Sequence, residues 1–282
     1  MTGWEGDMPA EFTPGTALDP DATAPTQWLL VRGTEILIGI DQNGDRTVPI
    51  EIEISSITAS LVAHPLGTIG SRNVVAAEVS IDLEPPPDFN FYSFRELFET
   101  IDPVSFGLAG RALGVIEWDR THRFCGRCGA ATQLMEAQRS RRCTQCGLVR
   151  YPRLDPSIIV AVERDGRLLL ARNATFTSGF FSVLAGFVDQ GETLEEAVHR
   201  EVREEVGIEI ENLAYFGSQY WPFPHGLMVG FTASWAGGEL APDPAEIAEV
   251  DWFAPDALPM LPGKISIARE LIDDFVRRSR EN

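Results

Sequence analysis

The stretch from Thr193 to Gly207 constrains this chain more than any other, because it specifies a helix and loads one face of it with charge. Thr193 and Glu196 have the Ser/Thr-x-x-Glu spacing of a capping box, which predicts a helix opening there. Gly207 is placed to close it in the left-handed conformation that other residues avoid. Between these signals Leu194, Val198 and Val202 form an apolar stripe that can anchor the helix to a sheet. Glu201, Glu204 and Glu205 stand at i, i+3 and i+4, neighbours on one face about 5–6 Å apart. Clustered carboxylates repel one another unless cations neutralise them, and hard oxygen ligands suit Mg2+ or Mn2+. Gly186 and Gly191, just upstream, would let backbone approach a metal or a phosphate closely. An ordinary solvated helix can carry the same three acids, so the surrounding residues must decide between the two.

A second constraint lies upstream. Cys125-Gly-Arg-Cys128 and Cys143-Thr-Gln-Cys146 are separated by 14 residues. Two such pairs complete a tetrahedral shell of four thiolates around Zn2+, with no open position, so this zinc is expected to be structural. Gly126, Gly129 and Gly147 fit the tight turns that aim backbone amides at sulfur. Few large apolar residues lie between 121 and 151, so the ion should supply much of this segment's folding free energy. Cysteines confined to two close pairs read as a metal pattern, which favours a cytoplasmic setting over a disulfide-rich one. The segment is also basic: Arg123, Arg127, Arg139, Arg141, Arg142 and Arg150 face Glu136 alone. These arginines can face RNA, or simply balance the thiolates and nearby acids.

Basic character is local, because the whole chain carries a formal net charge of -19. That balance argues against general affinity for nucleic acid or an anionic membrane. No apolar run approaches the roughly 18 residues that span a bilayer, and no secretory signal pattern opens the chain. Residues 1–25 are rich in Pro, Ala, Asp, Thr and Gly without periodicity and read as a mobile tail. Residues 26–120 read as an α+β domain. Strands are predicted around Trp28–Val31, Ile36–Ile38 and the alternating Ile50, Ile52 and Ile54, and helices around Phe94–Ile101 and Phe106–Trp118. Residues 121–151 form the cysteine segment. Residues 152–282 alternate strands (Ile158–Val162, Leu168–Ala171, Phe181–Leu184, Ala214–Gln219, Met228–Trp235, Val250–Phe253) with the glutamate helix and a last helix over Ile265–Arg278.

Read in full, Gly186, Glu192, Arg200, Glu201, Val202, Glu204, Glu205, Gly207 and Ile208 match the pattern G-x5-E-x7-R-E-U-x-E-E-x-G-U, where U is a bulky aliphatic residue. This is the Nudix box, and the chain resembles a Nudix hydrolase. The resemblance implies an α/β/α sandwich with a mixed sheet, inside an α+β chain, and hydrolysis of a nucleoside diphosphate linked to another group. It makes Glu201 and Glu205 the principal ligands of catalytic Mg2+ or Mn2+, with Glu204 a supporting ligand or base. The carbonyl of Ala185 becomes a further ligand, and Arg200 orients a carboxylate.

Downstream, Trp221 and Phe223 offer flat apolar surfaces beside two stiffening prolines, which suits either ring binding or core packing. The segment Ser218-Gln-Tyr-Trp-Pro-Phe-Pro-His-Gly226 is similar to the S-Q-P-W-P-F-P-x-S signature of the NADH pyrophosphatase branch, with Tyr220 for its first Pro and Gly226 for its final Ser. That branch also places a Nudix-like domain and a four-cysteine zinc ribbon before its catalytic domain. The resemblance implies a substrate site built from Gln219, Tyr220, Trp221, Pro222, Phe223, Pro224, His225 and Gly226. Tyr151, the ring of Phe187 and the backbone of Ala268 would join it. Glu246 is implied as a third metal carboxylate, with Glu249 close enough to compete. A homodimer with a shared site is implied, cleaving NADH or NAD+ to NMN(H) and AMP or removing NAD caps from RNA. Two other readings stay open: a hydrolase of ADP-ribose or another nucleoside diphosphate derivative, and a non-catalytic sensor of nucleotide or RNA. The aromatic segment and ribbon count against the first, and the intact acids against the second.

Overall fold

The computed structural model describes residues 12–40, 44–49, 54, 57–58, 61–97, 100–135, 138–174, 179–223 and 225–281. The described residues divide into two compact units, 12–153 and 154–281.

In the first unit, strands β1 (Phe12–Pro14), β2 (Ala24–Arg32), β3 (Glu35–Ile40), β4 (Arg46–Thr47), β5 (His64–Ile69), β6 (Arg72–Glu78) and β7 (Phe89–Ser93) form one sheet. Its order is β1-β5-β6-β2-β3-β4 with β7 beside β3, and β2 and β6 run parallel. Trp28, Leu30, Leu37, Val75, Ala77 and Phe91 form a core on this sheet. Helix α1 (Pro103–Thr121) packs against β6 and β2. It starts earlier than its apolar spacing predicts because Pro103 suits the first turn and the Asp102 side chain accepts from the Ser105 amide at 2.9 Å.

Three local expectations in this unit differ from what is found. Within the stretch read as a tail, Phe12–Pro14 pairs with β5, and Phe12 is buried. A three-residue edge strand is too short to show periodicity. A Cβ on Gly67 would lie 2.1 Å from the Thr13 carbonyl oxygen, so that glycine is what admits the strand. Ile54, assigned to a strand, is helical, and Ile50 and Ile52 lie outside the described residues. Phe94–Leu97 is a turn and not a helix, with Phe98 outside the described residues. Phe94 stacks on Phe106 at 4.2 Å, so its apolar character serves a tertiary contact. Strands β8 (Thr132–Leu134), β9 (Arg141–Cys143) and β10 (Val149–Arg150) complete the unit as a small antiparallel sheet around the cysteines.

In the second unit, β11 (Asp155–Arg164), β12 (Arg167–Asn173), β13 (Leu184–Phe187), β14 (Glu209–Trp221), β15 (Gly226–Gly237) and β16 (Ile247–Phe253) form a mixed sheet in the order β14-β15-β11-β12-β16, with β13 beside β11. Only the β11–β15 pair is parallel. The continuous apolar run of β11 is explained by its two covered faces. Ile158, Val160 and Val162 pack with Ala197, Val198, Val202 and Val206 of α2 (Leu194–Val206). Ile159 and Ala161 pack with Ile267, Leu271, Ile272 and Phe275 of α3 (Ile267–Glu281). The result is an α/β/α sandwich. The strand expected at Phe181–Leu184 is displaced: Ser182 makes an isolated bridge to Ala171 and β13 begins at Leu184. Among the described residues, no helix is long and apolar enough to cross a membrane.

Candidate active site

The glutamate helix forms as its capping signals dictate. The Glu196 amide donates to Thr193 Oγ1 at 3.2 Å, and the Thr193 amide donates to Glu196 Oε2 at 2.8 Å. At the other end Gly207 adopts φ +77° and its amide donates to the Arg203 carbonyl at 3.0 Å. A cap of this kind stabilises a helix by about 1 kcal/mol. Burying Val198 and Val202 against the sheet adds about 1.5–3 kcal/mol each and fixes which way the acids point.

Arg200 ties the acidic face together. Its guanidinium donates to Glu192, Glu201 and Glu204 and to the Phe187 carbonyl oxygen, at 2.9 Å in each case. The contact with Glu192, helped by the Asp189 amide, holds that carboxyl down to about pKa 2. The same contacts raise the arginine pKa above its ordinary value. Arg200 therefore locks the loop before the helix to the helix itself.

Glu205 is the outlier. It is 6% exposed, and its Oε2 lacks a hydrogen-bond partner. Burial, then the charges of Glu201 and Glu246, push its pKa up to about 8. Burial also raises Glu201, against the pull of Arg200 and with a further push from Glu204 and Glu246. Glu246 thus directs its charge at the buried Glu205 and the half-buried Glu201, whereas Glu249 is taken by Arg172 at 2.8 Å. Glu204 is mostly exposed. Gly186 makes room for Glu201, since a Cβ there would sit 1.9 Å from Glu201 Cδ.

Glu205 lines a cavity of about 260 Å³ together with Ala185, Gln219, Trp221 and Ala268. Five of the residues picked from the sequence are thereby brought to one place. Tyr220 points the other way, as alternation along β14 requires. The segment read as a loop is mostly hairpin: β14 runs through Trp221 and β15 starts at Gly226. Trp221 and Phe223 rings lie 5.2 Å apart, and His225 Nδ1 is 3.1 Å from Asp155 Oδ2. Pro222 is in the turn, and Pro224 lies outside the described residues. Phe187 is 66% exposed and lies outside the cavity lining. Tyr151 falls in the first unit and is exposed. Asn173, Phe180, Ser182, Met228 and Ser266 also line the cavity and carry no local motif. They come from separate segments that only the fold assembles.

In the first unit the ligand atoms of Cys125, Cys128, Cys143 and Cys146 all lie within 4.8 Å of one another. The separations Cys125–Cys146 of 3.6 Å and Cys128–Cys143 of 3.5 Å suit a tetrahedral Zn2+ with bonds of about 2.3 Å. Amides support the sulfurs: Cys146 and Gln145 donate to Cys143 Sγ at 3.3 and 3.4 Å, and hold that thiol down to about pKa 6. Gly129 and Gly147 take φ of +75° and +73° at matching points of the two turns. The four cysteines hold structural zinc. Several ribbon arginines are committed within the unit: Arg123 pairs with Glu78, Arg139 donates to the Gly15 carbonyl, and Arg141 Nε and Nη2 both reach Asp119 Oδ1 at 2.8 Å.

A glutamate-bearing helix on one face of a mixed sheet, opened by a glycine loop pinned by arginine, defines a Nudix catalytic domain. The chain belongs to the Nudix hydrolase family, in its NADH pyrophosphatase branch. Residues 153–275 match the NUDIX domain, residues 120–151 the NADH pyrophosphatase zinc ribbon domain, and residues 25–118 the NADH pyrophosphatase-like rudimentary NUDIX domain. The chain is 45% identical to the NAD-capped RNA hydrolase NudC of Pseudomonas aeruginosa over 77% of its length and 78% of the relative's. It is 39% identical to that of Pseudomonas entomophila over 96% of each chain. Among solved structures, a NUDIX hydrolase from Nitrosomonas europaea shares the fold at a TM-score of 0.50 and 20% identity, covering 57% of this chain and 93% of that one.

Proposed function

We propose that the second unit hydrolyses the pyrophosphate of NADH and NAD+, giving NMN(H) and AMP, and makes the same cut at NAD caps on RNA 5′ ends. One observation carries the reading: a buried carboxylate with an unpaired oxygen, Glu205, shares a cavity with an aromatic ring, Trp221. Relatives named NAD-capped RNA hydrolases, similar over nearly the whole chain, support the substrate class.

The acids fit Mg2+ or Mn2+. Glu205 Oε2 has no protein donor, and Glu201 and Glu246 add negative charge that only a cation can offset. Glu201, Glu205, Glu246 and the Ala185 carbonyl would hold the ion. Such an ion, when bound, lowers the pKa of an attacking water and offsets charge on the phosphates. The chain's own part is to fix Glu201 through Arg200 and Gly186. The more exposed Glu204 remains a supporting ligand or the base that accepts the water's proton. Trp221 supplies a surface for a ring at the end of the substrate, with the branch's other contacts, Phe187, Tyr151 and Ala268, completing the site in a homodimer.

A sensor would have no use for a buried carboxylate repelled by a half-buried neighbour, and a hydrolase of ADP-ribose would have less use for the aromatic wall. The deciding experiment is product analysis by mass spectrometry with NADH, NAD+, ADP-ribose and NAD-capped RNA in parallel, with and without chelator. The expected order of kcat/KM is NADH, NAD+, ADP-ribose, because an apolar cleft disfavours the charged oxidised ring. Absence of metal-dependent AMP release from NADH would overturn the assignment.

A further inference from the structure

Gln219 belongs to the aromatic signature, yet its side chain is spent inside the protein. It is 5% exposed. Its Nε2 donates to the Ile265 carbonyl oxygen at 2.7 Å, and its Oε1 accepts from the Ile267 amide at 2.8 Å. Ile267 is the first residue of α3, whose opening amides have no partner within the helix. A strand residue therefore caps a helix 48 positions further along the chain.

The two elements so joined are two walls of one cavity. Trp221 stands two residues along β14 from Gln219, on the same face of the strand. Ser266, Ile267 and Ala268 line the cavity from the turn that Gln219 grips. Gly230 allows the helix to come this close, since a Cβ there would lie 2.9 Å from Ile267 Cδ1. Ser266 completes the start of the helix, its Oγ accepting from the Arg269 amide at 3.3 Å. The other hydrogen bonds at this turn, Ser266 to Gly263 and Arg269 to Ser266, are local. Apolar packing of Ile267 and Leu271 holds α3 on the sheet, and the glutamine amide is the polar tie between the start of the helix and the strand that carries Trp221.

We propose that Gln219 is a positioning residue for substrate recognition: through its bonds to Ile265 and Ile267 it sets the width of the ring-binding slot by latching the start of α3 to the end of β14. The proposal rests on the NAD(H) reading for its kinetic consequence and on geometry alone for the latch. A primary amide suits the task because one planar group must donate to a carbonyl and accept from an amide at once. Glutamate keeps the acceptor and loses the donor. Methionine has nearly the same length and loses both.

The test compares Gln219→Met and Gln219→Glu with the wild type, by steady-state kinetics on NADH and by amide hydrogen exchange at Ile267 without substrate. Gln219→Met is expected to raise KM for NADH about tenfold, with kcat within about threefold, since the slot is disturbed and the acids are not. Exchange at Ile267 should accelerate in Gln219→Met, and also in Gln219→Glu once the carboxyl is ionised, because an anionic oxygen would then face the Ile265 carbonyl oxygen with no proton between them. A role confined to stability would lower the melting temperature of Gln219→Met and leave KM unchanged, which overturns the proposal. So does unchanged exchange at Ile267 in that variant. The exchange measurement uses no substrate, so a wild type unable to cleave NADH refutes the activity without deciding the latch.

Discussion

A carboxylate buried with one oxygen unpaired destabilises the protein that carries it, and Glu205 is such a group. Its pKa stands at about 8 against an ordinary 4.5, so the folded chain holds a proton that the unfolded chain releases. The stabilising contribution of that proton is complete below about pH 4.5 and is lost as the pH rises to about 8. Metal-free protein should therefore lose melting temperature across this interval in calorimetry. Glu205→Gln should flatten part of the loss and melt higher than wild type at pH 8, while its turnover falls by about 10²–10⁴-fold. A variant no more stable at pH 8 than wild type would mean that Glu205 is not strained. Gly186→Ala addresses the neighbouring acid. Its methyl would collide with Glu201 Cδ, so the carboxylate must move, and a shift of about 1 Å is expected to lower kcat about 100-fold. Wild-type kcat in that variant would show that Glu201 has room to spare. The glutamates were legible in the sequence because helical spacing alone places them together. The role of Gln219 was not, because its partners lie 46 and 48 residues away and nothing local announces them.

At the level of elements, periodicity located most strands of the second unit and, among the described residues, the three long helices, but it missed β5, β6 and β7 of the first unit and blurred the ends of those it found. β14 runs five residues before and two beyond the predicted Ala214–Gln219, and shifts register at several points. Those irregularities break the alternation from which a strand is read. Phe180 and Ser182 escaped notice for a related reason: they sit in a short connection anchored by the bridge to Ala171 and by the Phe181 amide on the Met260 carbonyl, and have no period. The hairpin of β14 and β15 carries a specificity prediction. Trp221 lines the cavity and Phe187 does not, so Trp221→Ala should reduce the preference for NADH over ADP-ribose by roughly 2–13-fold. Phe187→Ala should change that ratio less in the monomeric unit, and more only if a second copy covers its exposed ring. Competition assays with both substrates in one tube read the ratio directly. An equal loss on both substrates in Trp221→Ala would mean that the ring supports the fold alone.

For the whole molecule, the zinc ribbon and the first sheet form one compact unit with α1. Zinc loss should therefore reach beyond the ribbon. Cys143→Ser is expected to release the metal, lower the melting temperature and speed amide exchange along α1, because Arg141 lies two residues from the lost ligand and holds Asp119 of that helix. Added Mg2+ should not restore it, since a hard cation does not replace zinc among thiolates. Unchanged exchange in α1 after zinc loss would show that the two parts fold independently. Sequence reading placed a seam at 120/121, where composition changes, but a buried ion pair across the seam has no signature in composition. Asp119 and Arg141 are both buried, and His64 Nε2 stands 3.7 Å from the same carboxylate. The family matches at residues 25–118 and 120–151 leave Asp119 between them. Anyone transplanting the ribbon into another protein, or deleting it as a detachable cassette, would cut between the two charges. A stranded buried carboxylate costs about 3–5 kcal/mol, a large part of a domain's whole stability. Ribbon and rudimentary domain are therefore expected to transfer as a pair, and a chimera that keeps the ion pair splices after Arg153.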